Sequence, residues 1–157
     1  MTLTDARHGV GVYDLPVPDL SQAALAQVTA QVAETAAEYD RSGALPIKGL
    51  EAAHRAGLLT ATVGARYGGP GLGPRDTARI LTALGQGDPS VALIATNNLM
   101  THAGQAQHPH WPVAYYDDIL RRSLRGPAPA NAIRAEPERV GPGSEHLVRV
   151  GHDREGA

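Results

Sequence analysis

Apolar positions along the chain fall into five stretches of helical period, separated by glycine and proline. From Asp19 or Ser21 to Asp40, residues Leu25, Val28, Val32, Ala36 and Tyr39 recur every three or four positions and form one stripe. A single helix is predicted there, capped by Ser21 or Asp19 and broken by Ser42 and Gly43. Pro46 is placed to open a second helix, because a proline at the first helical position loses no hydrogen bond. Leu50, Ala53, His54 and Leu58 share one side of it, and Gly57 is positioned to end it. Thr60 to Val63 predicts a short extended piece. A loop follows, Tyr67-Gly68-Gly69-Pro70-Gly71-Leu72-Gly73. Pro74 starts a third helix with Thr77, Ile80, Leu81 and Leu84 inward, stopped by Gly85 and Gly87. Asp88-Pro89-Ser90 pairs an acidic cap with a proline and restarts the chain as a fourth helix, to about Ala106. The fifth runs from Pro112 to about Arg125 on a stripe of Val113, Tyr116, Ile119, Leu120 and Leu124, and Gly126 ends it.

The flanks have no sustained period. Residues 1–18 read as an arm holding Gly9, Gly11, Pro16 and Pro18. From Pro127 to Ala157 proline or glycine recurs every few residues, and only His146 to Val150 alternates like a strand. The pattern predicts an all-α, five-to-six-helix up-and-down bundle over residues 19–130, followed by an irregular C-terminal tail. The fourth helix is apolar on every side over Val91 to Ala95. Such a helix sits centrally in its bundle or against another domain. Its second half turns polar at Thr96, Asn97, Asn98, Thr101 and His102. These residues are either the surface end of a central helix or a polar rim around a ligand cavity.

Composition narrows the chemistry. The 157 residues hold 42% hydrophobic side chains, enough for a core, but only 4% aromatics and no phenylalanine, so the core is aliphatic. A formal net charge of −2 argues against phosphate-driven nucleic-acid binding and against a polybasic membrane surface. Cysteine is absent, which excludes disulfides, thiolate metal sites and cysteine nucleophiles. Met1 to Asp14 contains no apolar core of a signal peptide, and no apolar run approaches the length of a bilayer. A cytoplasmic protein is the expectation.

The local motifs are weak. Gly69-x-Gly71-x-Gly73 precedes a helix N-terminus, where backbone N–H groups can hold an anion. It lacks the dinucleotide spacing and a preceding strand, so a tight connector is the simpler reading. His102, His108 and His110 lack a carboxylate or fourth ligand at a useful spacing, and no metal site is expected. Gly143-Ser144-Glu145-His146 is not a nucleophile elbow, for want of the strand, the helix and the flanking glycines. Asp117-Asp118 reads most simply as a solvated helix face. No catalytic residue is assigned.

Several words in order carry more. Asp40-Arg41 with Leu45-Pro46, then Ala56-Gly57-Leu58-Leu59, Tyr67-Gly68-Gly69-Pro70-Gly71-Leu72, Leu84-Gly85 and Asp88-Pro89-Ser90-Val91-Ala92 together resemble the N-terminal helical domain of acyl-CoA dehydrogenases. Their flavin-dependent monooxygenase relatives share the pattern. The resemblance spans roughly residues 20–138. It implies that the glycine loop is a structural turn and that the Asp88 helix runs near an acyl pocket, with Thr96, Asn97 and Met100 approaching the substrate tail. It also implies FAD, held where the family carries Thr-Glu-Pro and then Gly-Ser-Asp. Here those stretches read Arg134-Ala135-Glu136-Pro137 and Gly143-Ser144-Glu145, so Arg134, Ala135, Gly143 and Ser144 are the candidate flavin contacts.

The chain departs from the family pattern. Ala135 replaces a hydroxyl residue, the Glu136 to Gly143 spacing is longer, and no further β-strands follow Val150. Residues 131–157 therefore read as a truncated start of the flavin-binding β-domain. The resemblance implies α,β-desaturation of acyl-CoA thioesters, with a carboxylate base in a later domain, so the chain is expected to be inactive alone. The alternatives are a fragment of a flavin-dependent monooxygenase, a non-enzymatic helical interaction module, or a gene remnant. Expected partners are acyl-CoA or another small molecule, with homo-oligomers in the intact family and self-association of the fragment. Losing several hundred Å² of apolar burial forfeits on the order of 10 kcal/mol, as much as a domain's whole stability.

Overall fold

The computed structural model describes residues 10–129. Among these residues it is all-α, as the pattern predicts: six α-helices, two single 3₁₀ turns and no strand. The helices are α1 (Gln22–Ala33), α2 (Ala36–Ser42), α3 (Ile47–Arg55), α4 (Pro74–Gly87), α5 (Pro89–Gln107) and α6 (Val113–Ser123). The 3₁₀ turns are Leu58–Thr60 and Ala65–Tyr67. The predicted strand at His146 to Val150 lies outside the described residues.

The predicted first helix is two. Ser21 caps α1, its hydroxyl accepting from Ala24 N at 3.2 Å. The helix stops because Thr35 leaves helical geometry (φ −118°, ψ 1°), and its carbonyl then accepts from Glu38 N and Tyr39 N to restart the chain as α2. The stripe ran through this break because the two helices keep a common phase. α2 has no buried residue and ends at Gly43.

Pro46 and Pro112 stand just outside α3 and α6 as N-caps instead of at their first turns. Gly57 ends α3 in the left-handed conformation, as anticipated. Gly85 does not stop α4, which continues to Gly87. Asp88 then does two jobs: its N–H closes α4 on Leu84 O at 2.8 Å, and its carboxylate caps α5 by accepting from Ser90 N at 2.7 Å.

The main core lies where α1 packs on α3 and α4, and α4 on α5. Val28, Val32, Leu50, Leu58, Leu59, Ile80, Leu84, Val91, Ala95 and Leu99 fill it. The polar seam between α1 and α4 is also used, with the Thr29 hydroxyl donating to Ala83 O at 2.8 Å. Gly87 lets the helices meet, since a Cβ there would stand 2.6 Å from Thr29 O.

Thr60 to Val63 is not extended. It forms the end of a 3₁₀ turn and a following turn, all buried. Its carbonyls are satisfied by the glycine loop: Leu72 N donates to Ala61 O and Gly71 N to Val63 O, both at 2.8 Å.

A second, smaller core gathers Leu15, Val63, Tyr67, Tyr116 and Leu120. The N-terminal segment reaches it as a strap. Tyr13 N donates to Tyr67 O at 2.9 Å, and Leu15 is buried beneath. The strap crosses Gly68 so closely that a Cβ on that glycine would stand 1.7 Å from Tyr13 O.

Candidate functional site

An open groove of about 490 Å³ runs between α4, α5 and the glycine loop. Thr62, Leu72, Thr77, Leu81, Leu99, Met100 and Ala103 are among its lining residues, and none of the lining side chains is charged. Met100 is 68% exposed and stands in its wall. Thr96 and Asn97 do not line it. The Thr96 hydroxyl donates to Ala92 O of its own helix at 2.8 Å, and Asn97 lies on the exposed stripe between Leu93 and Met100. Arg134, Ala135, Gly143 and Ser144 lie outside the described residues.

α5 divides its residues by face. Val91, Ala95, Asn98, Leu99, His102 and Gln105 point inward, while Leu93, Asn97 and Met100 face out. The apolar first turns thus serve both a core and an uncovered stripe. The polar second half is not a surface end, since Asn98, Thr101, His102 and Gln105 are buried. Each of three polar contacts ties α5 to a neighbouring loop. Asn98 Nδ2 donates to Leu59 O at 2.9 Å, the Thr62 hydroxyl to Leu99 O at 2.7 Å, and His110 N to Gln105 Oε1 at 2.8 Å.

His102 is different. It is fully buried, its Nδ1 lies 3.0 Å from the Tyr116 hydroxyl, and its Nε2 has no partner among the described residues. Burial lowers its pKa to about 4, because an imidazolium would be stripped of water there. Burial likewise pushes the Tyr116 phenol well above its ordinary range. The pair is neutral at pH 7.

Asp117 is not on a solvated face, being 8% exposed. Its Oδ1 accepts from the Tyr13 hydroxyl at 2.6 Å and from Gly11 N at 2.7 Å, and Oδ2 accepts from Arg121 Nε at 2.9 Å. These donors, the Tyr13 hydroxyl first, lower its pKa to about 2. The carboxylate is the clasp of the N-terminal strap. Asp118 is exposed and pairs with Arg122 at 3.0 Å.

Most N–H groups of the glycine loop are already committed to backbone carbonyls. The N–H groups of Gly68, Gly69, Gly71 and Leu72 are all bonded to backbone carbonyls of residues 61–65. The histidines do not gather: His102 is buried in α5, while His108 and His110 are exposed beyond it. No group of three metal-ligating side chains occurs among the described residues.

The profile of the acyl-CoA dehydrogenase N-terminal domain matches residues 19–110. The chain belongs to the acyl-CoA dehydrogenase family. This acyl-CoA dehydrogenase N-terminal domain is also 35% identical, over 109 residues, to an L-evernosamine nitrososynthase of a Micromonospora species. The match covers 66% of this chain and 26% of the relative, so the chain spans about a quarter of that protein's length. No solved structure matches the chain. The family is one of flavin-dependent oxidoreductases, whose members are generally flavoproteins. No helix of the described residues is long and apolar enough to cross a membrane.

Within the described part of this domain the groove does not fit a whole FAD. A pyrophosphate needs cations or free N–H groups; the lining side chains offer no cation, and the N–H groups of Gly71 and Leu72 are taken by backbone carbonyls. The groove fits an uncharged, largely apolar moiety instead.

Sequence reasoning missed the His102–Tyr116 pair. A signal was present: positions 91, 95, 98, 102 and 105 continue one stripe at spacings of four and three straight through the polar residues.

Proposed function

We infer that this chain is the helical N-terminal piece of a flavin-dependent oxidoreductase acting on acyl-CoA thioesters, and that it supplies an uncharged wall for the substrate's apolar tail. One observation carries the reading: the groove beside Met100 is lined without a single charged side chain. Its residues bind and exclude water from the tail, while FAD and the base that removes a proton are contributed elsewhere in the intact enzyme. No carboxylate lines this groove, so the chain's part is binding and orientation.

Isothermal titration of the chain with octanoyl-CoA and with CoA alone tests this. Binding that requires the tail supports it. Burying four methylenes contributes about 3 kcal/mol, roughly a hundredfold in Kd. Ala103→Trp, which fills the groove, should remove that difference. Equal binding of CoA and octanoyl-CoA, or tail binding untouched by Ala103→Trp, overturns the assignment.

A second reading rests on the relative named an L-evernosamine nitrososynthase, and takes an amino sugar as the substrate class. In this reading the same groove takes the less polar side of a sugar ring. An amino sugar that binds the chain where octanoyl-CoA does not, with binding sensitive to Ala103→Trp, moves the proposal to that branch.

A further inference from the structure

The aromatic side chains of this chain are few and unevenly placed. Tyr67, Trp111, Tyr115 and Tyr116 form one connected cluster. Tyr116, 1% exposed, is its hub: its ring centroid lies 5.1 Å from Tyr67 and 6.2 Å from Trp111, both edge-to-face. Trp111 is half-buried and lies 5.3 Å from Tyr115, which is 53% exposed. A path of ring contacts, each within ordinary aromatic packing distance, thus leads from solvent to a buried phenol. At its inner end that phenol is hydrogen-bonded to the neutral imidazole of His102.

This juxtaposition has a chemical meaning. A phenol that loses an electron becomes a strong acid, so oxidation proceeds readily only when a base at hydrogen-bond distance takes the proton. Solvent supplies that base for an exposed tyrosine. The interior supplies it for Tyr116 only through His102 Nδ1. Among the described residues the Tyr116 hydroxyl makes one hydrogen bond, to Nδ1, and in the tautomer with the His102 proton on Nε2 the O–H donates there.

We propose that Tyr116 and His102 form a proton-coupled electron-transfer site, a buried radical sink fed through Trp111 and Tyr115. A one-electron oxidant at the surface takes an electron from Trp111 or Tyr115. Tyr116 returns that electron, reducing the outer ring, which in the case of Tyr115 takes back from solvent the proton it released, while the Tyr116 O–H bond breaks and its proton forms an N–H bond at His102 Nδ1. The products are a neutral tyrosyl radical and an imidazolium, and the external oxidant is reduced by one electron. A one-electron reductant reverses the sequence. Burial shields the radical from coupling with other molecules.

Photolysis of the full chain with tris(bipyridine)ruthenium(II) and persulfate, followed by electron paramagnetic resonance, tests the proposal. The expected signal is a tyrosyl radical that outlives, severalfold, the radical formed in the same chain unfolded in urea. Tyr116→Phe should abolish the long-lived fraction. His102→Gln, which keeps a hydrogen bond but not a base, should cut its yield severalfold and remove the slowing that heavy water causes in the parent chain. Trp111→Leu should slow its formation. A long-lived signal that persists in folded Tyr116→Phe, or a His102→Gln variant with the parent yield and isotope effect, overturns the assignment. The parent chain carrying isotopically labelled histidine gives an answer independent of variant folding. Pulsed resonance should show a histidine nitrogen coupled to the radical, and its absence overturns the proposal.

Discussion

Between about pH 6.5 and 4, acid should weaken the fold through His102. Its ring is fully buried with Nε2 unpartnered, and burial lowers its pKa to about 4 from the ordinary 6.5. The unfolded chain takes up a proton near pH 6.5, the folded chain only near 4. Between those values the unfolded state binds more protons, so stability falls as pH falls. The His102 contribution is complete above about pH 6.5 and is lost progressively down to about pH 4. At about 1.4 kcal/mol per pH unit, the whole loss is about 3 kcal/mol, of which about 1 is gone at pH 5.5 and about 2 to 3 at pH 4.5. With a urea slope of about 1 to 2 kcal/mol/M, the midpoint should drop by about 1 to 2 M at the lower pH. Urea titrations followed by circular dichroism at these pH values, on the parent chain and on His102→Gln, measure it. Asp117 does not interfere. Its pKa of about 2 against the ordinary 3.8 puts its contribution in a separate window, present above about 3.8 and lost toward 2. A parent chain with no acid slope between pH 6.5 and 4, or a His102→Gln variant with an unchanged slope, refutes the reasoning.

Two further substitutions probe the strap and the α4–α5 junction. Gly68→Ala forces a Cβ against the Tyr13 carbonyl and should unseat the strap and Leu15, costing about 2 to 3 kcal/mol in urea unfolding. Gly43→Ala, at a similar φ of 65° but in open space, should cost only about 1 kcal/mol, and equal losses in the two variants would refute the contact. Asp88→Ala removes the α5 cap and should cost about 1 kcal/mol by the same assay, with Asp88→Asn retaining most of it; a neutral Asp88→Ala would deny the cap its role.

The helices were legible wherever a stop signal and a start signal coincide. Asp88-Pro89 marked the α4–α5 junction because a capping carboxylate and a donor-less residue act locally. The α1–α2 break was invisible because Thr35 interrupts the backbone without disturbing the phase of the stripe. Thr60 to Val63 misled for the opposite reason: its burial comes from the glycine loop lying along it, a tertiary fact with no local period. The groove was half legible. Met100 stands in its wall, while Asn97, three positions back on the same exposed stripe, and Thr96, four positions back, do not line it. Polar residues drew attention to the second half of α5, but which of them turn inward depends on helical phase, and His102 finds Tyr116 on a different helix. Asp117 looked like half of a solvated acidic pair because nothing adjacent in sequence announces the strap that covers it.

The clasp at Asp117 joins positions 106 residues apart. Closing so long a loop in an otherwise disordered chain would cost roughly 4 kcal/mol in entropy before any reward. Once the helices between have collapsed, most of that search has already been made. During synthesis, therefore, the clasp on Asp117 can close only after α6 has emerged, although Tyr13 and Leu15 also meet Tyr67 and Val63 much earlier in the chain.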